Sequence, residues 1–144
     1  MIHFKKVLFE FNNGNGIKDT SFNIESGEYV CIIGPTGAGK TTLLKLIYMD
    51  IFPQKGEVIV DKYNSKKIKN KEIANLRRNV GMVFQHPQLL DDRTVYENIA
   101  IPLHIQGLGL KYIKNEVNEV LSKLGIEDKK NHFPNQCSGG EQQI

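Results

Sequence analysis

The sequence predicts an α/β fold, and three observations carry that reading. Tyr29-Val30-Cys31-Ile32-Ile33 is a short unbroken apolar run bounded by turn formers. Such a run reads as a strand buried on both faces, which is the pattern of a parallel sheet. A glycine-rich loop, Gly34 to Gly39, follows it directly. Behind the loop, Leu43, Leu44, Leu46 and Ile47 recur at helical spacing across Thr41 to Met49. Strand, glycine loop and helix in that order are the opening unit of an α/β domain.

The remaining elements follow from local pattern. Residues 2 to 11 mix apolar and polar positions with β-branched and aromatic members, so they read as a strand. Asn12-Asn13-Gly14-Asn15-Gly16 closes it with turn formers. Ile17 to Ile24 reads as a second strand, ended by Ser26-Gly27-Glu28. Pro53 and Gly56 bracket a turn before a strand over Glu57 to Val60. Residues 71 to 78 look helical, and Val80-Gly81-Met82-Val83-Phe84 reads as a further strand ending at Gln85. Thr94-x-x-Glu97 is a capping-box pattern ahead of Val95, Ile99 and Leu103. Ile113, Val117, Val120, Leu121 and Leu124 share one helical face, which stops at Gly125. Phe133-Pro134 closes that region, and Ser138-Gly-Gly-Glu141 looks like the start of one more helix.

Composition narrows the classes. The chain has 144 residues, 40% hydrophobic, 24% charged and 8% aromatic, which argues against long disorder, collagen or a disulfide scaffold. No apolar run is long enough to span a bilayer, since Ile99 to Leu103 is short and holds Pro102. The first residues alternate and carry Lys5 and Lys6, unlike a signal peptide. Cys31 and Cys137 lie far apart without metal-ligand spacing and read as reduced, cytosolic thiols. A formal charge of +3 is too weak to argue for nucleic acid as a partner. Lys62, Lys66, Lys67, Lys69 and Lys71 make residues 61 to 71 basic. No aromatics interleave for base stacking, so a solvated loop is preferred there over an anionic-surface patch.

Gly34-Pro35-Thr36-Gly37-Ala38-Gly39-Lys40-Thr41 fits Gly-x-x-x-x-Gly-Lys-[Ser/Thr], the Walker A loop. The glycines let the backbone curl with its N–H groups pointing inward, where a side chain would block the approach. Those N–H groups and the following helix N-terminus suit a polyphosphate. Lys40 offers an ammonium to the β- and γ-phosphates, and Thr41 offers a hydroxyl to Mg²⁺, a hard cation that prefers oxygen. Metal ligation elsewhere has no such pattern, and Asn70-Lys71 leads into Glu72-Ile73 rather than a guanine-binding Asn-Lys-x-Asp.

Together with Val83-Phe84-Gln85 and Cys137-Ser138-Gly139-Gly140-Glu141-Gln142-Gln143, this loop makes the chain resemble the nucleotide-binding domain of the ABC transporter family, an α/β P-loop NTPase with a β-subdomain and a helical subdomain. Val83-Phe84-Gln85 resembles the family's Q-loop, although a lone Gln after a strand also fits a plain loop. Cys137-Ser138-Gly139-Gly140-Glu141-Gln142-Gln143 resembles its signature, with Cys137 where the family usually has Leu. Taken as a bare pattern, Ser138 and Glu141 also describe a capped helix start. The resemblance implies ATP and Mg²⁺ as cofactors. It places Gly34, Pro35, Thr36, Gly37, Ala38, Gly39, Lys40, Thr41 and Thr42 around the phosphates. Thr41 and Gln85 then face the metal, with Lys40 and Gln85 taking catalytic parts. Ser138, Gly139, Gly140 and Glu141 would meet the nucleotide of an opposite subunit in a head-to-tail homodimer. Phe11 matches the position of the adenine-stacking aromatic, although it also fits as an edge-strand aromatic.

Within the family, Leu76 to Gln85 and Asp91-Asp92-Arg93-Thr94-Val95-Tyr96-Glu97-Asn98 with Pro102-Leu103 resemble the FtsE type of cell-division ATPase. Lipoprotein-release and macrolide-export ATPases share much of this pattern. The resemblance implies a peripheral subunit at the cytoplasmic face of the membrane. Its integral partner, FtsX-like, would meet the segment from Gln85 to Leu103. It also implies a partial domain over 1–144, divided into 1–84 and 85–144, with the C-terminal strands that flank residues 29–33 in the family missing, so that the N–H and C=O rows of 29–33 are expected to stay open. The family's Walker B Asp and Glu and its switch His follow the signature helix, and this chain has no counterparts in that place. Residues 1–144 are therefore expected to bind nucleotide and to hydrolyse it weakly or not at all. Asp91, Asp92, Glu97, Glu141 and His86 read as turn, cap or surface groups rather than substitutes.

Overall fold

Period-2 alternation and a turn-forming pentapeptide produce an antiparallel hairpin of β1 (Ile2–Glu10) and β2 (Gly16–Ile24). The computed structural model describes residues 1–143. After the hairpin come α1 (Lys40–Ile47), β3 (Lys55–Val60), the short β4 (Tyr63–Asn64) and α2 (Asn70–Asn79). The four strands form one antiparallel sheet in the order β2-β1-β3-β4. α3 (Val95–Ile105), α4 (Leu110–Leu124), 3-10 turns at Glu127–Lys129 and Pro134–Gln136, and α5 (Gly139–Gln143) complete the chain. They fall into two compact units, residues 1–82 and residues 83 onward.

In the first unit one face of the sheet packs on α1 and α2. Phe4, Val7, Val58 and Val60 from the strands meet Leu46, Ile47 and Met49, with Leu76 from α2. α1 ends where Arg77 of α2 reaches over. Its Nε donates to Tyr48 O at 3.3 Å, and Nη2 donates to Met49 O at 3.1 Å. The guanidinium also lies 4.8 Å from the Tyr48 ring centroid. These bonds satisfy carbonyls that a helix end leaves open.

The second unit is a small helical core. Ala100 of α3 packs on Ile113, Val117 and Leu121, the buried stripe of α4, with Ile126 beyond it. Gly125, at φ 68, ends α4 and donates to Leu121 and Ser122 carbonyls. The Thr94–Glu97 box forms as the pattern predicts. Thr94 N–H donates to Glu97 Oε2 at 2.7 Å, and Glu97 N–H donates to Thr94 Oγ1 at 3.2 Å.

Two expected strands are not formed. Residues 29–33 and 80–84 carry no ladder pairing, and the buried parallel sheet predicted around them is absent among the described residues. Tyr29 is 96% exposed and Ile33 87%, where burial on both faces was expected. The reason is physical. A helix closes its hydrogen bonds within its own sequence, whereas a strand exists only when another strand pairs with it. No described residue supplies that partner.

Candidate functional site

The glycine loop in the first unit has the geometry its composition predicts. Gly37 and Gly39 stand at φ 86 and φ 90, in the left-handed region that only glycine enters readily. Gly39 is the N-cap of α1, and its carbonyl accepts from Leu43 N–H at 2.9 Å. A Cβ on residue 39 would lie 2.6 Å from Ile17 Cγ2 and 3.2 Å from Gly16 O, so the start of β2 closes directly on the loop. Around Gly37 there is open space instead. One glycine is thus needed for packing as well as for conformation, the other for conformation alone.

Lys40 folds back over this loop. Its Nζ donates to Gly34 O and to Pro35 O, both at 2.8 Å. Ala38 N–H donates to Pro35 O at 3.2 Å, which tightens the curl. Thr41 is exposed at the head of α1, while Thr42 is buried against the core. The pair divides labour: Thr41 is accessible beside the loop, and Thr42 anchors the helix in the core. The residues fit a polyphosphate with its metal ion, because glycines clear the cradle, an ammonium lies at its rim and an accessible threonine sits next to it.

Phe11 lies at the turn of the β1–β2 hairpin in the same unit. Its ring is 43% exposed and meets Phe9 edge-on, with centroids 4.9 Å apart. Phe11 N–H donates to Asn15 O at 2.7 Å, and Phe11 O accepts from Gly14 N–H at 2.8 Å. The turn therefore holds a partly open ring face, and the strand leaving it at Gly16 packs on Gly39.

Gln85 and the signature belong to the second unit. Gln85 and its neighbour His86 are exposed in an irregular segment. The signature forms the cap anticipated from its spacing. Ser138 N–H donates to Glu141 Oε2 at 2.7 Å, and Glu141 N–H donates to Ser138 Oγ at 3.3 Å. Those bonds from Ser138, backbone first and hydroxyl second, hold the Glu141 carboxyl below its usual range. Gly139 and Gly140 are exposed, and a Cβ on either would meet nothing within 4 Å. Cys137 Sγ–H donates weakly to Phe133 O at 3.6 Å. Gln142 ties the cap down, with Nε2 donating to Pro134 O at 2.8 Å and Cys137 O at 3.2 Å.

One organising residue was not anticipated. Asn98 on α3 holds the polar segment before that helix. Its Oδ1 accepts from Leu90 N–H at 2.8 Å, and its Nδ2 donates to the carbonyls of Leu90, Arg93 and Thr94 at 3.1, 3.1 and 3.0 Å. An Asn one helical turn after a cap residue was the available signal. No group of three or more His, Cys, Asp or Glu able to hold a metal ion occurs among the described residues. No helix among them is long and apolar enough to cross a membrane.

A glycine loop with Gly37 and Gly39 in the left-handed region, set between an apolar segment and a helix, with a capped Ser-Gly-Gly-Glu turn further on, is the pattern of the α/β P-loop NTPase class. The comparisons agree and go further. The ABC transporter family model matches residues 17–144, and the chain belongs to that family. It is 41% identical over 144 residues to the cell division ATP-binding protein FtsE of Streptococcus pneumoniae serotype 2 (strain D39 / NCTC 7466), covering 99% of this chain and 63% of that one. It is equally 41% identical, over 147 residues, to the methionine import ATP-binding protein MetN 1 of Listeria monocytogenes serovar 1/2a, covering 99% of this chain and 44% of that one. Among solved structures it is similar to the ATP-binding cassette MJ0796 in a dimeric post-hydrolysis state bound to ADP and Pi. That match has a TM-score of 0.87 and 32% identity, over 99% of this chain and 65% of the other. The chain spans less than two thirds of the length of these relatives.

Proposed function

We propose that the chain is the nucleotide-binding part of an ATP-driven subunit in an ABC-type membrane complex. The observation that carries this is the loop itself: Gly37 and Gly39 in the left-handed region, with the Lys40 ammonium folded across Gly34 and Pro35. In this reading the loop's N–H groups and Lys40 bind the phosphates. Thr41 would hold the metal ion and the Phe11 ring would take the base, while Gln85, in the second unit, keeps the metal-facing part that the family resemblance implies for it. Mg²⁺ would neutralise charge on the phosphates when bound. Ser138, Gly139 and Gly140 present the surface that a second copy's nucleotide would meet, while Glu141 is spent on the cap and takes no proton from water. Hydrolysis needs a water-orienting carboxylate beside the loop, so residues 1–144 bind nucleotide and turn it over weakly or not at all.

Within the family we favour a role like that of FtsE, in cell division with an FtsX-like membrane partner. The support is the Asp91–Asn98 segment, which Asn98 holds in one shape ahead of α3. This segment, from Gln85 to Leu103, is the proposed contact with the membrane subunit at the cytoplasmic face. A methionine-import role is the second reading, because MetN 1 matches at the same 41% identity.

Fluorescent ATP titrated into the chain with and without Mg²⁺ tests the site. Binding should tighten with Mg²⁺ and weaken at least tenfold in Lys40→Ala, as loss of a charge-assisted phosphate contact requires. Unchanged affinity in that variant would sink the phosphate-loop reading. Co-purification with an FtsX-like membrane protein rather than with a methionine permease would separate the cell-division role from methionine import.

A further inference from the structure

The outer face of the sheet, away from the core, holds a second cationic feature. In a regular strand Lys5 and Lys6 would point to opposite faces. Here Phe4 and Val7 are both in the core, and the two lysines between them both turn outward. Bulges on both sides of β1 achieve this. Toward β3, Lys5 pairs with Glu57 and Leu8 with Lys55, leaving Lys6 and Val7 opposite Gly56 alone. Toward β2, Phe4 pairs with Phe22 and Val7 with Thr20, leaving Lys5 and Lys6 opposite Ser21. Bulges of this kind re-aim side chains.

The bulge is costly and built for one geometry. Lys6 sits at φ 46, a region that a lysine enters at an energetic cost. Its N–H donates to Ser21 Oγ at 2.8 Å. Gly56, at φ 77, lets β3 approach so closely that a Cβ there would lie 2.2 Å from Lys6 O. The result is a concavity of about 680 Å³ lined mainly by apolar atoms, with Lys5, Lys6, Lys55 and Lys66 among its residues beside Asp19 and Glu57. Glu57 is already engaged, by Asn64 Nδ2 at 2.8 Å and Lys5 Nζ at 3.2 Å. Lys6, Lys55 and Lys66 make no ion pair among the described residues. Lys66, exposed in the turn after β4, lies beside a cluster whose other members come from three strands.

We propose that this concavity is a second anion site, separate from the glycine loop, for a compact group bearing clustered phosphates. Like charges held together by a rigid sheet repel, and a multivalent anion relieves them all at once. Lysine ammoniums are point-charge phosphate binders, and their arrangement around a depression suits a compact polyanion better than an extended acidic peptide. Clustered phosphates come either free in solution or on a lipid headgroup, and two probes separate those sources.

Inorganic tripolyphosphate is titrated calorimetrically into the Lys40→Ala chain, in which the glycine loop is disabled. The same chain is floated with vesicles of phosphatidylcholine containing cardiolipin. The chain should bind at least one probe, more weakly as salt rises. Lys55→Gln with Lys66→Gln should reduce that binding tenfold or more, whereas Lys62→Gln with Lys67→Gln, outside the concavity, should change it less than twofold. Lys66→Glu alone gives the same direction should the double variant fail to fold. Capture by vesicles alone identifies a headgroup, and binding of tripolyphosphate alone identifies a soluble anion. Failure to bind either probe, or equal loss in both double variants, overturns the proposal.

Discussion

Gly39 and Ile17 are packed so tightly that a methyl group on residue 39 would lie 2.6 Å from Ile17 Cγ2. The contact joins the glycine loop to the first residues of β2. Gly39→Ala must strain φ 90 and push Ile17 aside, whereas Gly37→Ala strains φ 86 in open space. We expect Gly39→Ala to cost roughly 2–4 kcal/mol and Gly37→Ala about 1–2 kcal/mol. Urea denaturation of both variants checks the order. Equal losses would show that Ile17 yields freely.

Asn98 makes four hydrogen bonds to the backbone of residues 90–94. Asn98→Ala should release that segment while leaving the α3–α4 core in place. Much of the cost falls on solvated groups, so the expected loss is about 1–2 kcal/mol. Hydrogen exchange should show lost protection at the Leu90 amide and retained protection at Val117. Retained protection at Leu90 would mean that the turn is held by its own sequence.

The two capping boxes predict an acid response. Thr94, through its N–H first and its hydroxyl second, holds the Glu97 carboxyl below the usual range, and Ser138 does the same for Glu141. A folded-state pKa below the unfolded value of 4.5 stabilises the fold above that pH. The contribution disappears as pH falls from 4.5 through the lowered folded values. Helical ellipticity followed from pH 7 to pH 2 should therefore fall below pH 4.5. Glu97→Gln with Glu141→Gln should flatten that fall, and an unaltered curve would place the acid response elsewhere.

Cys137 stands where the family signature usually has Leu. It lines an apolar depression of about 330 Å³ in the second unit, with Leu89, Ile99, Pro102 and Leu124 among its walls. Cys137→Leu adds apolar volume there and gives up only the weak thiol bond to Phe133 O. We expect stabilisation of about 1–2 kcal/mol, from roughly 0.8 kcal/mol per added methylene-sized group. A raised Tm checks it. A lowered Tm would mean that the depression does not accept the side chain.

The sequence was readable where structure closes locally. Gly125 stops α4, Thr94 and Glu97 cap α3, and Ser138 and Glu141 cap α5 at the spacings their side chains require. The glycines of the phosphate loop were readable for the same reason, since their φ values are properties of single residues. Residues 29–33 and 80–84 form no ladder because apolar content alone does not supply a pairing partner, and none lies among the described residues. The outward turn of Lys5 and Lys6 was invisible because it depends on Ser21 and Gly56, neighbours only in space. Arg77 over Tyr48 and Met49 was missed likewise, for nothing within α2 indicates which carbonyls its guanidinium will reach.

The Lys40 ammonium, bonded to Gly34 and Pro35, has a thermodynamic consequence of its own. The loop is preorganised: its lysine already staples the curve that a phosphate needs. On the proposed nucleotide-binding reading, ligand entry would exchange two carbonyl acceptors for phosphate oxygens, with little folding of the loop. The heat released on binding measures the difference between those partners rather than the full strength of the new contact.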